Sequence, residues 1–143
     1  MTPETIQQQL PALEAFLQQK LEKFMKSWQA ATAVSQGLFG YLPENAKNLG
    51  VIANHVNTTR NAQGLLADYK LCIANWKLND PQYAKLGLPR PPFPQVPQVL
   101  MDEMLEAAAE KDSILDKIRD AAARIGMAKE QTDLLVAALG NVL

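Results

Sequence analysis

Apolar positions recur along most of this chain at helical spacing. Ile6, Leu10, Leu13, Leu17, Leu21, Phe24 and Trp28 follow one another at intervals of three or four residues, which is one continuous stripe along a helix. Just upstream, Thr2 is a capping residue, Pro3 suits the first helical position and Glu4 lies where the helix dipole favours an acid. Pro11 falls inside the pattern. It predicts either a kink or a helix that begins there, because proline removes a donor and crowds the preceding turn. Segment 27–43, SWQAATAVSQGLFGYLP, carries no charge and reads as a short covered helix through the alanines, ending near Gly37, followed by a loop to Pro43.

From 44 to 80 the pattern predicts one long helix, or two with a break between. Leu49, Ile52 and Val56 give an early apolar face, and Leu65, Leu66, Tyr69, Cys72, Ile73 and Trp76 a later one. The seam between them holds Thr59 and Gln63 beside Gly64, so either a polar layer is buried or the helix bends or ends near 57–64. In the last third, Met101, Met104, Ala108, Lys111, Leu115, Ile118, Ala122 and Ile125 alternate by three and four, a heptad seam interrupted at Lys111. Asp112 or Ser113 there could cap a fresh helix. The end, 134-LLVAALGNVL-143, is apolar on every face and is expected to be covered by the chain's own core or by another subunit. No stretch shows the period of two that marks a strand. The class expected is therefore all-α, a bundle of four to six helices forming a single domain over 1–143, with helical halves at 2–80 and 98–143.

Between the halves, segment 81–97 breaks the helical pattern. Prolines at 89, 91, 92, 94 and 97 force an extended polyproline II run over about 86–97. Nine such residues reach about 28 Å, more than antiparallel neighbours need and suited to a crossover toward the other end of a bundle. Phe93 and Val96 would anchor this strut and Arg90 would point outward. The same P-x-x-P spacing marks recognition peptides, but these also want a basic residue at a set distance, and Arg90 does not occupy it.

Composition narrows the chemistry. With 48% hydrophobic and 20% charged residues and a net charge of −1, the chain can bury a core and lacks the basic excess of a nucleic-acid-coating protein. Residues 29–98 carry six Lys/Arg against three Asp/Glu and residues 99–143 five against nine, a mild polarity that solvated helix faces account for. No apolar run approaches the roughly 20 residues of a membrane span. The start lacks the basic and apolar regions of a secretory signal, so a cytoplasmic location is expected. Cys72, the sole cysteine, excludes an internal disulfide and a thiolate cluster, and is expected in the core. His55 is the sole histidine, and no nucleophile elbow, zinc motif, calcium loop or phosphate-binding loop accompanies it. No catalytic, metal-binding or cofactor-binding residue is expected, and the chain reads as non-enzymatic.

The leading expectation is a structural or adaptor protein that acts through helix-mediated self-association or partner binding, with a second copy as the first partner to consider. An accessory component of a virus or mobile element would have such a composition. Its contacts are expected from Leu38, Phe39, Tyr41 and Leu42 in the uncharged loop, Arg90 and Phe93 in the proline-rich segment, and Leu139, Val142 and Leu143 at the end. The alternative is a DNA-binding regulator. Segment 118–139, IRDAAARIGMAKEQTDLLVAAL, resembles a helix-turn-helix, with Gly126 at the turn and Arg124, Lys129, Gln131 and Thr132 toward DNA. Two features weaken it: Thr132 stands where such units place a branched aliphatic, and Glu130 and Asp133 repel phosphate. Nucleic acid therefore ranks behind protein. A second alternative is an apolar-ligand pocket between helices, lined by Trp28, Phe39 and Trp76.

Overall fold

A computed structural model describes the backbone of residues 2–37 and 43–142, with the side chains of Pro43, Asn45 and Val142 left aside. The protein is all-α: four helices, α1 (Pro3–Gly37), α2 (Pro43–Lys85), α3 (Gln98–Arg124) and α4 (Lys129–Val142), with no strand among the described residues. The chain forms two compact units, Met1–Leu100 and Met101–Leu143.

The first unit is a helical hairpin with an extended segment laid on it. Thr2 caps α1, its Oγ1 accepting the Thr5 N–H at 3.2 Å, which satisfies one of the free donors of the first turn. The helix then runs through Pro11 without a break and starts at Pro3, not at Pro11. Its early stripe is the better buried: Ile6, Leu10, Leu13 and Leu17 are enclosed, while Leu21, Phe24 and Trp28 are half-buried. The partners Glu14–Lys70, Gln18–Gln63 and Phe24–His55 descend one helix as they ascend the other, so α1 and α2 are antiparallel.

Of the two expectations for 44–80, the unbroken helix is the one observed, and it passes Gly64 and Pro81 on its way to Lys85. The polar stretch of its seam is accommodated as a layer. Thr59 is 1% exposed beside Ala62 at 0%, and Gln63 Nε2 donates to Gln18 Oε1 at 3.3 Å. That amide pair lies at the exposed rim, where water shares the load, so only Thr59 has to be accommodated in the buried face. Cys72 departs from expectation: it is exposed, because the buried face of α2 turns through Leu66, Tyr69 and Ile73 and leaves position 72 outside.

The uncharged part of α1 is likewise not fully covered. The helix is one element to Gly37, with Ser35 buried and Val34 53% exposed. The loop residues Leu38, Phe39, Tyr41 and Leu42, and the terminal Leu143, lie outside the described residues.

α2 ends in a glycine turn. Gly87 takes a φ of 68°, its N–H donates to Ala84 O at 3.2 Å, and the Leu88 N–H donates to Tyr83 O at 3.0 Å. This is the double hydrogen bond of a Schellman motif, and it reverses the chain direction before Pro89. Residues 88–97 are free of regular helix, and α3 begins at Gln98, with Leu100 fully buried.

In the second unit α3 continues through Lys111, which is half-buried, so the heptad interruption is tolerated inside one helix. Long lysine stems cover apolar surface while the ammonium stays wet. The helix closes on Gly126, φ 73°, with the same pair of bonds: Gly126 N–H to Ala123 O and Met127 N–H to Ala122 O. Glu103, Met104, Leu115, Ala122, Thr132 and Val136 are the buried positions, and Gly140 on α4 faces Leu115. The apolar end is only partly enclosed, for Leu134 is 73% exposed.

Candidate functional site

The most structured feature outside the hairpin core is the contact between α2 and the proline-rich segment. A polyproline II chain turns once in three residues and makes no internal hydrogen bonds, so its carbonyls need donors from elsewhere. Burial along the segment follows that period. Pro92 and Gln95 are exposed, whereas Pro91, Pro94 and Pro97 form one half-buried ridge, and Phe93 and Val96 another.

Two aromatic donors on α2 meet the first ridge. Trp76 Nε1 donates to Pro91 O at 3.0 Å, and the Tyr69 hydroxyl donates to Pro94 O at 3.0 Å. The spacings match because seven helical residues advance about 10.5 Å and three polyproline residues about 9.3 Å. Phe93 adds a ring edge against Trp76, with centroids 5.2 Å apart and planes at 78°. Arg90 closes the row: its Nε is 3.3 Å from Asp80 Oδ1, near enough for charge attraction though not aligned as a hydrogen bond. The guanidinium is 69% exposed and the carboxylate 13%.

The segment thus runs back along α2 over positions 80 to 69, about 17 Å of a helix about 64 Å long. Its grip is moderate. Two neutral hydrogen bonds at about 1 kcal/mol each, an aromatic pair of about 1 kcal/mol and a largely solvated ion pair below about 1 kcal/mol give roughly 3 kcal/mol before ordering entropy. Proline lowers that entropy, because its unfolded chain has few states to lose.

Tyr69 makes this contact sensitive to alkali. Burial, and secondarily the nearby Cys72, pushes its hydroxyl above the ordinary value of 10.0. The folded state therefore holds this proton more tightly than the unfolded one, so the contribution is complete below pH about 10 and is lost as pH rises through the raised value. With Trp28→Phe leaving Trp76 as the sole tryptophan, its emission is expected to shift to the red on that alkaline passage. The Tyr69→Phe chain, which has no such proton to lose, is expected to lack the step.

A second surface lies on α2 away from the proline-rich segment and borders α1 at Ala74. Leu71 and Leu78, two turns apart on one face, are 66% and 69% exposed, and Ala67 and Ala74 interleave with them and are exposed too. Beside this stripe is a shallow groove of about 280 Å³ between α1 and α2, lined by Leu10, Pro11, Ile73 and Ala74, with Lys70 and Lys77 on its edge. Lys70 is paired with Glu14.

The residues expected to carry function are distributed as follows. Arg90 and Phe93 are both engaged within the chain, on Asp80 and Trp76. Leu139 is half-buried. Arg124, Lys129 and Gln131 are exposed around the Gly126 turn, but Thr132 is 9% exposed and its hydroxyl donates to Ala128 O at 3.2 Å, so it faces inward and is not presented to a ligand. Trp28 and Trp76 line no common pocket. Phe24, one turn before Trp28, stacks on His55 at 4.9 Å, and the 55–76 span of α2 is about 32 Å long.

Among the described residues no cluster of three or more His, Cys, Asp or Glu side chains is arranged to hold a metal ion. No described helix is long and apolar enough to cross a membrane. Comparison with protein-family models, with curated proteins and with solved structures finds no match in any of the three.

Proposed function

We propose that the protein is a non-enzymatic structural or adaptor protein that associates with a second copy of itself through the exposed stripe of α2. The observation that supports this reading is the pair Leu71 and Leu78, mostly exposed on a helix whose other faces are occupied by α1 and the proline-rich segment. The stripe is self-complementary in size. In an antiparallel two-fold pairing centred between positions 72 and 73, Leu71 meets Ala74 and Leu78 meets Ala67 of the other copy, so each leucine faces a small residue. The stripe is short, about 17 Å from 67 to 78, and the interface is smaller than the roughly 800 Å² per partner of a standard complex. Association is accordingly weak and concentration-dependent.

Sedimentation over a wide concentration range tests it. The wild-type chain is expected to pass from monomer to dimer, and Leu71→Glu with Leu78→Glu to weaken that association strongly with unchanged helix content, since neither side chain is buried in the monomer. Each charge would have to be desolvated in the paired state, a cost of several kcal/mol. Dimerisation as tight with both substitutions as without them rules this surface out.

A further inference from the structure

The face of α2 that carries Tyr69, Trp76 and Asp80 has the attributes of a receptor. It offers two aromatic donors seven residues apart, a ring for an aromatic side chain and a carboxylate for a base. The chemistry it accepts is an extended segment with a basic residue, a carbonyl one residue later, an aromatic two residues after that, and a second carbonyl next to it, which is Arg90-Pro91-Pro92-Phe93-Pro94. We propose that this receptor also takes the same segment from a second copy of the chain, so that two molecules exchange their proline-rich segments.

Three observations carry the proposal. The contacts are the same atoms whether the segment is held in its own chain or given to another, so exchange sacrifices none of them. They are few, and all the residues from Pro81 to Arg90 are exposed, so little else holds the connection in its folded-back path. The path itself depends on one residue: the chain doubles back at Gly87, whose φ of 68° lies in the left-handed region that other residues avoid. Were Gly87 to adopt an ordinary negative φ, the chain would leave α2 without the tight reversal and its proline-rich segment would be presented outward. This mode rests on different atoms from the Leu71–Leu78 stripe and does not need it.

Gly87 provides a clean test. A Cβ built there meets no atom within 4 Å, so Gly87→Ala removes no contact and only disfavours the turn. Gly126 is a matched control, with φ 73°, the same pair of turn hydrogen bonds and equally open space, at the junction of α3 and α4. An L-residue in this region is disfavoured on the order of ten-fold, and an exchanged dimer relieves two such turns, so Gly87→Ala is expected to tighten dimerisation roughly 100-fold. Gly126→Ala is expected to leave it unchanged. The measurement is sedimentation of the full-length chains in the Leu71→Glu/Leu78→Glu background, which removes association through the stripe. Adding Trp76→Ala to Gly87→Ala is expected to abolish the gain. If Gly87→Ala dimerises no more than Gly126→Ala does, or if its gain persists without Trp76, exchange of the proline-rich segment is wrong, and the stripe pairing is judged separately in the wild-type background.

Discussion

Trp76→Ala is expected to release the proline-rich segment from α2 at a cost of about 2 kcal/mol. The indole serves twice, as donor to Pro91 O and as the ring against which Phe93 packs. Trp76→Phe separates the two roles. It keeps an aromatic surface and loses only the N–H, so about 1 kcal/mol is expected. Far-ultraviolet dichroism should change little in either, because the α1–α2 pairings at Glu14–Lys70, Gln18–Gln63 and Phe24–His55 are made elsewhere. Hydrogen exchange and limited proteolysis around 88–97 should rise sharply for the alanine chain and modestly for the phenylalanine chain. Equal effects of the two substitutions would mean that the ring pair contributes nothing.

The largest loss of stability is expected from Leu17→Ala. Leu17 is fully buried, and truncation removes its transfer free energy while leaving a cavity that long helices cannot easily collapse, for about 3 kcal/mol in urea denaturation. Leu21→Ala, one turn along the same stripe but half-buried, is expected to cost less than half as much. A reversal of that order would place the core at the other end of the hairpin.

Much of the hairpin was legible because its signals are local. The Thr2 cap, Pro3 and the stripe from Ile6 to Trp28 each speak through spacing along one helix. Thr59 and Gln63 leave α2 ambiguous because polarity alone does not tell which positions an interface encloses: Thr59 is buried, whereas Gln63 pairs with Gln18, 45 positions away, at the exposed rim. Spacing places Cys72 inward because 69, 72, 73 and 76 span one broad arc, and only the docked segment and α1 together define where that arc ends. The Ala67–Leu71–Ala74–Leu78 stripe is as regular as any other in the chain. A helix with two apolar faces on nearly opposite sides cancels the single periodicity by which either would be recognised. At the Gly126 turn, the glycine marks the corner between α3 and α4, and Thr132 takes the inward place that a helix-turn-helix gives to a branched aliphatic, which removes it from the residues facing a ligand.

The unequal steps of helix and polyproline chain act as a vernier. Each advance of seven residues on α2 outruns three residues of the proline-rich segment by about 1 Å. Two rungs tolerate that difference; at a third the donor and its carbonyl would drift apart, and the heptad position that would supply it, Ala62, bears no donor. The grip is therefore self-terminating. Lengthening the proline-rich run by further P-x-x repeats would add reach without adding hold, and a single inserted residue between Pro91 and Pro94 would cost one of the two bonds outright.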